Sequence, residues 1–263
     1  MSESSNMPAP APAGDPPPPT AAPPVPSRAA RLWREFRQLA VIAIVILTCR
    51  SVLADWYQVP TGSMKPTILE GDRVFVWKCA YQLRVPFTSV RLFASGQPRR
   101  GDVIVLRNPS GESTPLVKRV VGLPGDVVEL RDETLYVNGF PQPLVDPPQP
   151  DPQELSAVVA IEMLGDRHHP VRFEPERPAM RWFGPVRVPE GHVFVMGDNR
   201  DDSLDGRVFG ARPTRDLLGK AVGILWSWNP DVWKGPRWRR FGRPLPTVPE
   251  GLTPPPAQKP QSG

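Results

Sequence analysis

The sequence predicts a mostly β fold: an antiparallel β-sheet core carrying an inserted variable β region, preceded by one N-terminal transmembrane helix. Three observations lead there. A glycine followed by Asp or His opens four short β-branched runs: "EGDRVFV" at 70–76, "RGDVIVL" at 100–106, "PGDVVEL" at 124–130 and "EGHVFVM" at 190–196. Each is a turn signal running into a strand. Helical periodicity is weak everywhere after residue 60. One apolar run, Leu39 to Cys49, is unbroken by charge.

In chain order, residues 1–27 have almost nothing to bury and are dense in proline, which predicts a disordered cytoplasmic tail of polyproline character. Residues 28–57 hold a basic flank and the spanning helix. Arg28, Arg31, Arg34 and Arg37 precede the apolar run, and Glu35 is the only acid among them. Continued to Trp56, the run approaches the ~20 residues a span requires. Arg50 sits near one end, where its stem can reach the headgroups. The positive-inside rule makes the N-terminus cytoplasmic and puts everything after Trp56 outside, with Trp56 and Tyr57 in the outer aromatic belt. The rival is a cleavable signal peptide ending at Val52-Leu53-Ala54, against which stand Arg50 and the long N-terminal extension. Either way the following domain is exported.

That extracytoplasmic domain is residues 58–245. "TLYVNGFPQ" adds a strand ending in Asn-Gly, a hairpin cue that pairs with "VVEL". Residues 141–189 are proline-rich with few strand signals and read as an insertion, bounded at about 131–190. "GILWSWNP" is a further apolar strand, and residues 246–263 form a second disordered tail. The net charge of +5 draws an anionic surface only weakly, and no nucleic-acid partner is expected. Cys49 and Cys79 cannot easily meet, so no internal disulfide is expected. His168, His169 and His192 form no cluster at metal-ligand spacing, so neither metal nor cofactor is expected.

Three segments hold residues suited to chemistry. In "VPTGSMKPT", Ser63 is a turn serine beside Gly62 or a nucleophile that needs a base. His192 starts a strand, where a turn role suffices. Lys65 lies two residues on, roughly 6–7 Å away along an extended chain, before a proline bend. It also misses the Ser-x-x-Lys spacing of β-lactamase-type enzymes. Lys118, in "PLVKRVVGLPGD", is flanked by valines. Alternation puts it on the face of Val120 and opposite Val117, Arg119 and Val121. Buried there, its pKa falls and the neutral amine can serve as base; the other reading has Lys118 snorkel outward while Arg119 is sheltered. "MGDNRDDSLDGRVFG", 196–210, lacks the spacing of a calcium loop and reads as a polar turn knitted by Asp–Arg pairs, able to present a hydroxyl to a site.

In this order the segments resemble the bacterial type I signal peptidases (leader peptidases). "VPTGSMKPTILEGDRVFV" is similar to the nucleophile segment, "GDVIVLRNP" and "VKRVVGLPGDVVEL" to the lysine segments, and "GHVFVMGDNRDDSLDGRVFG" to the closing signature. The resemblance implies Ser63 as nucleophile and Lys118 as general base, with Thr61 in the place of a serine that helps form the oxyanion hole. It implies that Ser203 orients the lysine amine and that Asp205 and Arg207 form an ion pair bracing the loop. Tyr57, Val59, Met64, Ile68, Val74 and Val117 align with residues lining apolar pockets for the substrate side chains at −1 and −3. Asp202 and Gly206 depart from the usual Asn and Ser, at positions peripheral to the dyad.

The implied protein is a serine endopeptidase of the cell (inner) membrane, single-pass, with its catalytic domain on the periplasmic side. It removes signal peptides from exported pre-proteins, next to the lipid bilayer and the secretion machinery. Two rivals compete. Self-cleaving repressors share the dyad but have a DNA-binding module and no span. A membrane-anchored β-domain that binds exported partners without catalysis has no need of Ser63, Lys118 and Ser203 together. Finally, "WSWNPDVWKGPRWRRFG" mixes tryptophans with basic residues, as at a membrane interface, or packs its first two tryptophans in the core.

Overall fold

The computed structural model describes residues 28–84, 90–145, 147–230 and 232–245. The N-terminal basic and apolar run is helix α1 (Arg28–Val52). Among the described residues no helix is long and apolar enough to cross a membrane. The uncharged part of α1 runs only from Gln38 to Cys49, short of the ~20 residues of a span. Trp56 and Tyr57, expected at the outer end of that helix, belong instead to strand β1 (Ala54–Gln58), paired with β2 (Asp72–Trp77) at Trp56↔Phe75 and Tyr57↔Val74. Aromatic residues suit a pleated, half-buried surface, and Tyr57 packs on the apolar cluster around Val74.

The chain continues through β3 (Gln82–Arg84), β4 (Arg91–Ala94), β5 (Val103–Leu106), β6 (Leu116–Gly122), β7 (Val127–Arg131), β8 (Thr134–Val137) and β9 (Phe140–Gln142). Then come β10 (Gln149–Asp151), β11 (Glu154–Leu164), β12 (Arg167–Phe173), β13 (Phe183–Arg187), β14 (His192–Met196), the single helical turn α2 (Gly206–Phe209), β15 (Arg212–Pro213) and β16 (Leu217–Ser227). The main sheet has seven strands in the order β1-β2-β16-β5-β6-β14-β15, beside a four-stranded sheet β13-β7-β8-β9 and a three-stranded sheet β10-β11-β12. The pairings between these strands are antiparallel, as the alternating runs predict.

The four Gly-Asp and Gly-His runs become β2, β5, β7 and β14. The strand before Asn-Gly pairs with "VVEL" as expected, β8 with β7, while the Asn-Gly turn itself, with Asn138 and Gly139 at φ +55° and +81°, joins β8 to β9. The β7–β8 hairpin turns at Asp132-Glu133 instead. The reading of 141–189 as poor in strands is overturned. "ELSAVVAIEML" forms an 11-residue strand, β11, that pairs along seven positions of β12, with Ala157, Val159 and Ile161 buried on one face and Ala160, Glu162 and Leu164 on the other despite the flanking prolines.

Period-two alternation sends Val103 and Val105 of β5 to one apolar cluster and Ile104 and Leu106 to another. The centre of the main sheet is thus covered on both faces. Side chains of either parity on β6 are therefore interior, which decides how Lys118 and Arg119 are housed.

Candidate active site

Ser63 lies in a short 3₁₀ turn, Gly62–Met64, held from below and at its base. Met64 and Ile68 are fully buried, and the Ile68 N–H donates to the Met64 carbonyl at 2.9 Å. The loop closes where Val59 N–H donates to Asp72 O at 2.9 Å and Gly71 N–H to Val59 O at 3.1 Å. Two arginines from the C-terminal segment lock it. Arg240 bonds both Asp72 carboxylate oxygens at 3.2 and 2.5 Å and the Thr67 carbonyl at 3.0 Å, while Arg237 donates to the Glu70 carbonyl. These two guanidiniums face the protein. Trp233 and Trp238 of the same segment are 94% and 71% exposed.

Lys118 and Arg119 are both buried, so the reading of Lys118 as a buried amine holds and the one in which it snorkels outward does not. Lys118 Nζ reaches 2.6 Å from Ser63 Oγ. Burial pushes its pKa down from 10.5 to about 8, and the Asp205 and Asp198 carboxylates offset only part of that. Lys65 instead lies 3.5 Å from Glu70, and the His192 ring bonds the carbonyl of Glu190 at 2.9 Å. Neither serves Ser63 in this geometry.

The segment 197–207 wraps the turn. Asn199 N–H donates to the Ser63 carbonyl at 3.1 Å, and its side-chain amide to the Gly62 carbonyl at 3.3 Å. Gly197 is squeezed between its neighbours: an added Cβ would lie 2.2 Å from Ser203 Oγ and 2.5 Å from the Ser63 carbonyl oxygen. Ser203 and Ser63 are therefore brought together across a position only glycine fits. Ser203 Oγ is shielded, and stands close enough to Asp205 to favour its charged form, yet meets no partner in hydrogen-bonding geometry. Its bond to the lysine amine is not formed here.

Asp205 and Arg207 make the expected pair, two-pronged at 2.9 Å on both oxygens, with Gly197 N–H adding a third bond at 3.0 Å. Burial pushes the Asp205 carboxyl up, and the Arg207 bond overcomes it to leave it lowered. The remaining acids of the loop are also satisfied by arginines or amides. Asp198 meets Arg119 at 2.7 Å on each oxygen, Asp202 meets Arg177 at 2.6 Å, and Asp201 accepts the Glu174 N–H at 2.8 Å. This is a knitted polar turn; among the described residues no group of acids, Cys and His could hold a metal ion.

Thr61 is exposed at the start of the turn in an extended conformation, and its side chain makes no capping bond. Tyr57, Val59, Met64, Ile68, Val74 and Val117 all fall in one apolar cluster next to Ser63. Met64, Ile68 and Val74 are fully covered, so they form its floor, while Tyr57 is partly open.

The sequence reading passed over Asp198 as the partner of Arg119, with Thr67 also donating to that carboxylate. It also passed over the buried pair of Arg200 with Glu162. The valines around Arg119 signal its burial and hence its need for a carboxylate; nothing local marks Glu162, which arrives from the insertion.

The sequence pattern of the family described as signal peptidase, peptidase S26, matches residues 32–226. A signal peptidase I of Pseudomonas aeruginosa is 38% identical over 220 residues, spanning 76% of this chain and 75% of that one. One of Pseudomonas fluorescens is 38% identical over 216 residues with the same shares. One of Bacillus licheniformis is 35% identical over 174 residues, 66% of this chain and 77% of that one.

Proposed function

The chain belongs to the signal peptidase family, peptidase S26, and we propose that it is a serine endopeptidase using a Ser63–Lys118 dyad to remove signal peptides from exported pre-proteins. One observation carries the reading: an amine with a pKa of about 8 lies 2.6 Å from a serine hydroxyl, both in the segments the family shares. A serine hydroxyl is a poor nucleophile until a base takes its proton. Neutral Lys118 removes it as Oγ attacks the scissile carbonyl, then passes it to the leaving amine. The oxyanion is stabilised by the Ser63 N–H and the Thr61 hydroxyl. Water then hydrolyses the acyl-enzyme. Ser203, close to Ser63 and unpartnered, turns its hydroxyl to the amine when substrate seals the site.

The substrate binds extended, by strand addition, with small side chains at −3 and −1 on the cluster of Tyr57, Val59, Met64, Ile68, Val74 and Val117. The basic and apolar segment ahead of β1 holds the enzyme at the inner membrane with the N-terminus cytoplasmic and the peptidase domain outside; the tails 1–27 and 246–263 lie outside the described residues. Signal peptides reach that surface on their own apolar helices, delivered by the secretion machinery. The exposed Trp233 and Trp238 support an additional contact with the bilayer.

The test is mass spectrometry of an exported precursor after incubation. Wild type cuts once, after the −1 residue, and Ser63→Ala leaves the precursor whole. A wild type that binds the precursor and leaves it intact establishes the non-catalytic binder instead. For Thr61, Ser retains most activity, while Val costs about 10²–10³ in kcat with little change in KM; near-wild-type turnover in Thr61→Val removes it from the mechanism.

A further inference from the structure

The inserted sheet is wired to the nucleophile through three consecutive residues, 198–200. On one side, β12 holds them by its backbone: Arg172 N–H donates to the Asp198 carbonyl at 2.8 Å, and Arg200 N–H to the Arg172 carbonyl at 2.9 Å. On the other side, Asn199 holds the carbonyls of Ser63 and Gly62 at 3.1 and 3.3 Å. The link is pinned from β11, where Glu162 takes both terminal nitrogens of Arg200, one at 2.8 Å. Arg200 is 3% and Glu162 1% exposed.

Neither member of that pair hydrogen-bonds Ser63 or Lys118. His169 on β12 also faces Glu162. Its Nε2 lies 3.4 Å from Glu162 and 4.0 Å from Asp198, and neither ring nitrogen makes a hydrogen bond. Burial, with Arg119 and Arg200 alongside, holds it neutral. It therefore fills space between the two ion pairs and leaves each carboxylate to its arginine.

We propose that Glu162 is a positioning residue for the catalytic serine, acting through Arg200 and the Asn199 amide, so that the inserted sheet sets where the Ser63 turn sits. The inference rests on Ser63 being the nucleophile. Its physical basis is distance: a reacting group displaced by about 1 Å loses on the order of 100-fold in rate. A buried guanidinium that loses its only two-pronged carboxylate must move to find another partner.

The experiment compares kcat, KM and folded fraction of the full chain on a pre-protein. Glu162→Gln is expected to lower kcat per folded molecule by about 10- to 100-fold. KM is expected to stay within about twofold, since bound and free substrate lose nothing unequally. The pH midpoint is expected to stay near the wild-type value, because burial is the chief cause of the depressed Lys118 amine. Arg200→Met should lose as much, and the double variant no more than the larger single loss, as expected of two residues acting as one unit.

A merely structural role would lower the melting temperature and folded fraction with kcat per folded molecule unchanged, and that result overturns the proposal, as do additive losses. Should Glu162→Gln fail to fold, Glu162→Asp keeps the charge and shortens the reach; it is expected to lose kcat several-fold, and wild-type kcat there overturns the proposal. Lys118→Ala separates the two ideas. If it stays active the dyad is wrong, whereas a dead Lys118→Ala beside wild-type turnover in Glu162→Gln sinks only the role of Glu162.

Discussion

Lys118 and Arg119 are adjacent on β6 and equally buried, yet they stand in opposite surroundings. Arg119 lies in a lattice of ion pairs, with both oxygens of Asp198 at 2.7 Å and the Gly101 carbonyl at 2.9 Å. Lys118 faces a serine hydroxyl and valines, with acids near enough to act through space but none paired to it. A guanidinium stays charged in any protein, so its burial demands a carboxylate. An ammonium can shed its proton, and does so when burial withholds a partner. The same strand therefore builds a rigid scaffold with one residue and a reactive amine with the next.

Four measurements bear on that contrast. The largest effect falls on activity: Lys118→Ala should lower kcat/KM by about 10⁴-fold or more, as loss of a dyad member does. Precursor cleavage near the wild-type rate in this variant would erase the functional half of the comparison. Next, Arg119→Met leaves Asp198 buried and unpaired, and should destabilise the fold by about 3–5 kcal/mol. A denaturant midpoint unchanged from wild type would show that Arg119 is no scaffold.

Third, Lys118→Met should do the reverse and stabilise the folded chain by up to about 3 kcal/mol at pH 7. The sign follows from linkage. The folded pKa lies near 8 and the ordinary value is 10.5, so between them the unfolded chain binds more protons. The buried lysine thus costs stability in full below pH 8, and the cost fades as pH rises to 10.5. The Met variant's advantage should shrink over that window; equal advantage at pH 7 and pH 10.5 would contradict a depressed amine. The smallest effect is the wild-type pH profile. Activity should rise about tenfold per pH unit until near pH 8 and level off above it, and a flat profile would mean that the base is not Lys118.

Much of this was legible in the chain itself. The Gly-Asp turns announced β2, β5 and β7 because a positive-φ glycine and a β-branched run are local facts. The nearness of Ser63 to Lys118 and the pairing of Asp205 with Arg207 were legible through the resemblance of whole segments. Asp205 and Arg207 lie two residues apart, so their pairing needs little beyond one loop. The end of α1 was misread because apolar character alone does not separate Trp56 and Tyr57 in a helix from the same residues in a strand. Their partner, β2, had to be present to decide it.

What the sequence by itself determined is whatever depends on neighbours along the chain: strand character, turn positions, the loop pair and the residue types fit for acyl transfer. Tertiary structure supplied the reason that Lys118 and not Lys65 meets Ser63, since the two lysines differ not in chemistry but in the walls around them. It also decided that Arg119 needs Asp198 and that Arg200 needs Glu162, 38 residues earlier on β11. Burial is a property of the packed sheet covered on both faces. A charge taken out of water must be matched by whatever the fold brings to it, and no local pattern records which residue that will be.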